Sequence, residues 1–366
     1  MKKVLILTAS HGHGHLATAR AVKQAIDQQY PDQIEVEIVD LLDELRRHWN
    51  QFINKSYDRT TKYAPVLYKL IFEATDSRRI AEAFGKFMYI FNEKRLAKFL
   101  TDHEPSLILI NYAAYQEAIG LVAEKYLPSI PLISMITDSI SVHSGWTSQY
   151  MDFYIVANQD TATVVKSLGA SDSQIKTLGY PVNLAFSEPL NKKAFINHIG
   201  LDAASKTLLF LPTADKITKS RQIIKALLKL SDTNLVVITG RDQDLHDKLA
   251  AFNKFSNFHL VGWTDEMASF IRASDLVISK AGGSTVMECI AACVPMVIHN
   301  IIPGQEEGNA EYVSRHHLGI VELMASQIAP AINNIFSHYD YYKKNLHQHS
   351  NPQAAIKIAD YIANLL

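Results

Sequence analysis

Three short stretches of this 366-residue chain concentrate side chains able to do chemistry. The first, His11-Gly12-His13-Gly14-His15, follows the apolar run 4–9 and precedes a helical pattern that begins at Leu16. Glycines at a strand-to-helix turn let a ligand approach the backbone, and a helix N-terminus offers N–H groups to an anion. An imidazole at that place, with an ordinary pKa of ~6.5, can serve as a general base near neutral pH. Histidines spaced by two are also a candidate metal set, although no carboxylate or further histidine stands at ligand spacing. The second stretch is Ser279-Lys280-Ala281-Gly282-Gly283-Ser284-Thr285-Val286-Met287-Glu288. Its paired glycines would admit phosphate oxygens to backbone amides, with the Ser284 and Thr285 hydroxyls as further donors. Glu288, about one turn beyond Thr285, stands where a carboxylate can accept both hydroxyls of a ribose. A helix cap with a first-turn acid would explain Ser284 and Glu288 but not the two glycines. The third stretch, Pro303-Gly304-Gln305-Glu306-Glu307-Gly308-Asn309, groups amides and carboxylates suited to vicinal sugar hydroxyls, with an ordinary polar loop as the alternative.

The elements that must position these stretches are legible as short apolar runs alternating with helix-length segments. Runs at 4–9, 34–39, 107–110, 132–136 and 153–157 predict one sheet. Runs at 208–211, 235–239, 258–261, 276–279 and 296–299 predict a second. Near-continuous Val/Ile/Leu runs of this kind are parallel strands covered on both faces, so the fold class is α/β with two Rossmann-like doubly wound domains. Gly179-Tyr180-Pro181-Val182-Asn183 interrupts both periodicities. The expected domains are therefore 1–182 and 183–350, with a C-terminal helix, 351–366, packing back toward the first.

Composition narrows the function. Thirty-six Lys+Arg balance 37 Asp+Glu, which excludes a protein whose main work is coating nucleic acid. Cys289 and Cys293 are too few for a disulfide scaffold and read as one buried helix face. The apolar N-terminal run is short for a secretion signal, and no uninterrupted run approaches the ~20 residues of a spanning helix. The expectation is a cytoplasmic protein. Residues 46–98 break the strand–helix alternation. They carry twelve Lys/Arg against five Asp/Glu, interleaved with Trp49, Phe52, Tyr57, Tyr63, Tyr68, Phe72, Phe84, Phe87, Tyr89 and Phe91. Basic helices with aromatic faces suit an anionic membrane surface; helices covering a sheet with a solvated basic rim are the plainer reading. Asp242-Gln243-Asp244 resembles a metal-binding Asp-x-Asp, but its place just after Gly240 favours helix capping.

The order of Gly/His turn, Gly-Gly-Ser-Thr…Glu and Pro-Gly-Gln-Glu-Glu-Gly-Asn resembles the monogalactosyldiacylglycerol synthase and processive diacylglycerol glucosyltransferase family. These are inverting glycosyltransferases of the GT-B fold, whose two domains face a cleft, and they are related to the peptidoglycan GlcNAc transferase. The resemblance implies that Gly283, Thr285 and Glu288 hold UDP, with Glu288 on the ribose; Gly282, Ser284 and, at the first turn, Gly14 join them as candidate nucleotide-binding residues from the turn reading itself. It implies that Gly262 and Trp263 read the uracil, and that Gln305, Glu306 and Asn309 hold the donor sugar. His15 becomes the catalytic base or its neighbour, and Asp138, in a Thr137-Asp138-Ser139 segment followed by His143 and Trp146, an alternative base or an orienter of His15. Two departures stand out: the family's glycine-rich loop reads Pro212-Thr213-Ala214-Asp215-Lys216 here, where Thr213 and Lys216 would have to substitute, and the first turn is richer in histidine.

The expected reaction moves glucose or galactose from UDP-glucose or UDP-galactose to diacylglycerol with inversion, needing no metal and no cofactor beyond the donor. The expected partners are the UDP-sugar, the lipid acceptor and an anionic membrane surface on the inner face of the cell membrane, engaged through 46–98. Alternatives are another lipid-linked or soluble acceptor, epimerisation of a UDP-sugar, and a weakly catalytic UDP-sugar sensor.

Overall fold

A computed structural model describes residues 1–9, 14–45, 56, 59–61, 63–213 and 216–366. His11, Gly12, His13, Ala214, Asp215 and part of the basic segment lie outside the described residues. The chain divides into two compact units. Met1–Leu184, Pro303–Gly308 and Gln353–Leu366 form the first; Ala185–Ile302 and Asn309–Pro352 form the second.

The first unit is built on β1 (Lys2–Thr8), β2 (Ile34–Asp40), β3 (Leu107–Ile110), β4 (Leu132–Met135), β5 (Phe153–Val156) and β6 (Ile175–Thr177). They form one parallel sheet in the order β2-β1-β3-β4-β5-β6. The two-residue pleat sends Val4 and Ile6 into one buried cluster and Leu5 and Leu7 into the other, so both faces are covered. Helix α1 (Gly14–Gln29) lies on one face through Ala19, Val22 and Ile26. The C-terminal helix Ala354–Leu365 joins the same cluster with Ala355, Ile358, Ala359 and Ile362, all fully buried. Tyr30 Oη donates to Asp360 across that contact at 2.9 Å.

The opposite face is covered by α3 (Arg78–His103) and α4 (Gln116–Tyr126), while α2 (Pro65–Thr75) buries no residue completely. In α3, Leu96, Phe99 and Leu100 enter the core, but Ile80, Phe84, Phe87 and Phe91 point outward at spacings of four, three and four. Strand order reverses between β1 and β3. In open α/β sheets that reversal opens a crevice at the carboxyl ends of the strands, and His15, Asn111 and Asp138 follow β1, β3 and β4 there.

The second unit holds β7 (Lys206–Phe210), β8 (Thr233–Ile238), β9 (Phe258–Val261), β10 (Leu276–Lys280), β11 (Met296–Asn300) and β12 (Gly319–Val321). They too form one parallel sheet, in the order β12-β11-β10-β7-β8-β9, with the reversal between β7 and β10. The β10–β11 register shifts at Ser279/Lys280, a bulge that re-aims the chain into the paired-glycine turn before α5 (Gly283–Ala291).

The ten strands expected from apolar runs are all present. β6 and β12 are additional: each has three residues at a sheet edge, too short to print a run. Cys289 lies on α5, but Cys293 falls beyond the helix in a left-handed turn (φ 53°), so the two do not share a helix face, although both are buried. Asp242 caps helix Gln243–Leu249 by accepting the Leu245 N–H at 2.9 Å, as its position predicted.

Candidate active site

His15 is the second residue of α1 and is half-buried. Its carbonyl is anchored twice, by Asn111 Nδ2 at 2.6 Å and Thr18 Oγ1 at 2.8 Å, and Asn111 Nδ2 also donates to Thr18 Oγ1 at 3.1 Å. Asn111 is completely buried at the end of β3, so the first turn of α1 is tied to the sheet. The His15 ring lies edge-on to Tyr112 (5.4 Å between centroids), near Trp146 (6.1 Å), with Nδ1 3.1 Å from Thr137 Oγ1. When Nδ1–H donates to Thr137, Nε2 carries the lone pair, the tautomer a general base requires.

Asp138 follows Thr137 and accepts the Trp146 indole N–H at 2.5 Å. Burial pushes its carboxyl up to about 6, and the indole hydrogen bond acts in the opposite direction. Burial also lowers the His143 imidazole, with the Asp76 carboxylate opposing, and raises the Tyr112 phenol to about 12. His143 Nδ1 accepts the Gly145 N–H at 3.1 Å, while Asp76 Oδ1 accepts the Ser144 N–H at 2.7 Å.

His15, Tyr112, Asp138, His143 and Trp146 line a cavity of about 430 Å³ within the first unit. His15, Asp138, His143 and Gln305 are among its polar lining residues; Ile71, Phe72, Ile80, Phe84, Tyr112 and Trp146 supply most of its apolar lining. Glu117, buried and raised by desolvation, also lines it and accepts from Ser148 Oγ at 2.9 Å. A base beside a mostly apolar cavity can deprotonate a hydroxyl carried on an apolar body.

Within the same unit, loop Pro303–Gly308 is held against α2. Tyr68 Oη donates to Gln305 Oε1 at 3.0 Å, Lys69 Nζ reaches Glu307 Oε1 at 2.8 Å, and Ser141 Oγ accepts the Gly308 N–H at 3.1 Å. Gly304 is in the left-handed region (φ 85°), and a Cβ there would come within 3.2 Å of the Phe72 ring. Glu306 is buried in this loop.

In the second unit the paired-glycine turn ends in α5, whose N-terminus has no side-chain cap. Gly282 adopts φ −67°, open to any residue, so the backbone itself does not demand glycine. Ser284 and Thr285 occupy the first turn, half-exposed. Glu288, one turn on, keeps an opening to solvent, yet burial pushes its carboxyl up to about 7. Asn309 Nδ2 donates to Ala281 O at 3.0 Å, leaving its buried Oδ1 without a protein partner. Trp263 is 55% exposed with the Arg241 guanidinium 4.1 Å above its ring, directly after Gly262. Of the two substitutes in the non-glycine loop, Lys216 bonds Asn300 Oδ1, and the Thr213 hydroxyl is buried without a partner among the described residues.

The structure thus brings Gly14, His15, Asp138, Gln305 and Glu306 into the first unit, and Gly262, Trp263, Gly282, Gly283, Ser284, Thr285, Glu288 and Asn309 into the second. Sequence reasoning missed Asn111, Tyr112, Tyr68 and Asp76. An asparagine immediately after the all-apolar β3 was the one available signal; the others show only when distant segments meet. Among the described residues no group of three or more His, Cys, Asp or Glu is arranged to hold a metal ion.

Residues 15–182 match the model of monogalactosyldiacylglycerol (MGDG) synthase, and residues 213–360 that of the glycosyltransferase family 28 C-terminal domain. The processive diacylglycerol beta-glucosyltransferase of Staphylococcus aureus strain Newman is 28% identical over 321 residues, 87% of this chain and 80% of that protein. Among solved structures, Acinetobacter baumannii MurG superposes with a TM-score of 0.61 at 17% identity, covering all of both chains. The S. aureus MnaA–UDP co-structure gives 0.62 at 13% identity, covering 100% of this chain and 98% of that one. These likenesses establish the GT-B fold.

Proposed function

This chain belongs to the monogalactosyldiacylglycerol synthase and processive diacylglycerol glucosyltransferase family, and from that premise we propose that it transfers a hexosyl group from a UDP-sugar to diacylglycerol with inversion. The observation that carries the reading is His15 in the wall of a mostly apolar cavity. Diacylglycerol is one primary hydroxyl on two acyl chains, and it needs this combination of base and apolar wall.

The acyl side of the acceptor lies along Phe72, Ile80, Phe84 and Trp146, with its hydroxyl toward His15. His15 Nε2 takes the hydroxyl proton as oxygen attacks the anomeric carbon, while Thr137 holds the tautomer and Asp138 offsets the developing imidazolium charge. Asn111 and Thr18 are positioning residues for His15. Glu288 accepts the ribose hydroxyls, and the Gly282–Thr285 amides and hydroxyls stabilise the diphosphate as it departs from an oxocarbenium-like centre. Gln305, Glu306 and Asn309 read the sugar, which is glucose or galactose, and Gly262 and Trp263 the base.

The outward stripe of α3 and the exposed α2 residues rest on an anionic membrane surface. Ile80, Phe84, Phe87 and Phe91 are each between 45% and 64% exposed, with Arg79, Lys86 and Lys94 on the same helix. Among the described residues no helix is long and apolar enough to cross a membrane, so contact through these faces is interfacial.

The test is product formation from UDP-glucose and UDP-galactose with diacylglycerol vesicles, read by mass spectrometry. A diacylglycerol carrying one or more hexoses is expected, and His15→Ala should lower turnover by about 10²-fold or more. Wild-type turnover in that variant removes His15 from the mechanism, and binding without any product favours the sensor.

A further inference from the structure

Helix α2 faces two ways. Val66, Leu67 and Leu70 are 71%, 53% and 57% exposed and share one side of the helix. On the other side, at spacings of four and three, Tyr68, Phe72 and Thr75 face the body of the first unit. Tyr68 bonds Gln305, the Phe72 ring fills the space beside Gly304 and meets His143 edge-on at 5.2 Å, and Thr75 Oγ1 lies 3.4 Å from His143 Nε2. Lys69, at the margin, bonds Glu307 in the same loop. With no residue of its own fully buried, α2 is held by that loop, by His143, by the hydrogen bond from the Ser144 N–H to Asp76 just past its C-terminus, and by whatever covers its outer side.

We propose that α2 couples a lipid surface to the sugar-binding loop: docking of Val66, Leu67 and Leu70 in lipid holds Tyr68 and Phe72 against Pro303–Gly308, so lipid and UDP-sugar each tighten the other's binding. This rests on the readings above that the loop takes the donor sugar and that the apolar faces meet a membrane. Lipid is the occupant because the exposed stripe is continuous with the acceptor cavity: Ile71 and Ile80 belong to both, and the neighbouring cations Arg78 and Arg79 suit anionic headgroups. Tyr68 and Phe72 are positioning residues. They touch the loop and not the reacting atoms. Coupling of this kind is reciprocal by linkage, and typical couplings change affinity by about 5- to 150-fold.

The experiment measures UDP-glucose affinity by calorimetry on the full chain, with and without phosphatidylglycerol vesicles lacking diacylglycerol, so that no transfer occurs. UDP, which has no sugar for the loop to read, is the control. Wild type is expected to bind UDP-glucose about tenfold tighter on vesicles and UDP equally in both conditions. Tyr68→Phe should keep vesicle binding and lose most of the UDP-glucose gain, and Leu70→Ser should weaken vesicle binding itself. Unchanged UDP-glucose affinity in wild type that does bind vesicles overturns the coupling and leaves the docking and donor readings intact. A gain of equal size for UDP moves the effect away from the sugar loop and overturns the proposal, as does a full gain in Tyr68→Phe. Absence of vesicle binding overturns both the coupling and the docking reading.

Discussion

Asp138 carries a cost that the proposed mechanism would explain. Its carboxyl is held near 6, above the ordinary Asp value of about 3.9, because its site is dry. A raised value means that the folded protein binds the proton more tightly than the unfolded chain does. The associated stability is complete below about pH 4 and is lost as pH rises through about 6. At pH 8 the buried charge costs on the order of 2–3 kcal/mol. Asp138→Asn should therefore raise the melting temperature at pH 8, with a gain about half as large at pH 5, while turnover falls. Calorimetric melts at the two pH values check this, and an equal gain at both removes the charge as the cause. Glu288 obeys the same logic with a ligand attached. In its proposed role its carboxyl, near 7, would have to be ionised to accept two ribose hydroxyls, so UDP-glucose affinity should rise from pH 6 to 8 by up to about tenfold. The nucleotide sugar has no proton to lose in that range. In Glu288→Gln the titration should be flat and the binding weak at every pH.

Helix α3 shows two demands on one element. Its last two turns place Leu96, Phe99 and Leu100 in the core, and the turns before them present Phe87 and Phe91, 55% and 64% exposed and 4.6 Å apart between ring centroids, outside it. Exposed aromatics in a row mark an interaction surface. Because these rings contribute little to the fold, Phe87→Ser/Phe91→Ser should keep the native circular dichroism and melting temperature. The same variant should bind anionic vesicles at least about tenfold less well, each ring's transfer being worth roughly 1.5 kcal/mol or more. Vesicle co-sedimentation measures it. Unchanged binding would leave the stripe without its assigned surface. At α5 the element matters differently: in the proposed donor site, the bulge at Ser279/Lys280 and the helix start would present backbone amides to the diphosphate beside the Ser284 and Thr285 hydroxyls.

For the whole molecule, the first unit is closed by the two ends of the chain. Ile358 and Ile362 are fully buried in the cluster that holds Val4 and Ile6, more than 350 positions away. Deleting 353–366 removes two isoleucines worth about 1.5–3 kcal/mol each. It should lower the melting temperature of the first unit by about 10 °C or more, followed by scanning calorimetry. A change of a degree or two would mean the cluster is complete without its last helix. Charge is also arranged at this scale: the near-neutral chain gathers about seven net positive charges into residues 46–98, where Arg78, Arg79, Lys86 and Lys94 adjoin the exposed apolar stripe.

What the sequence determined by itself was whatever depends on local pattern. Leu107–Ile110 was legible to the residue, because a strand buried on both faces must be apolar throughout and its polar flanks, Ser106 and Asn111, end it. The glycine turns and the amide-rich loop were visible because glycine and clustered polar groups are rare where a chain only needs to pack. β6 and β12 escaped because a three-residue edge strand needs a neighbour more than it needs a pattern. Tertiary structure alone decided the rest. Asn111 under His15, Tyr68 against Gln305 and Trp146 on Asp138 join residues 96, 237 and 8 positions apart. The raised carboxyls of Asp138 and Glu288 come from the water excluded around them, a property of the surroundings that no residue type encodes.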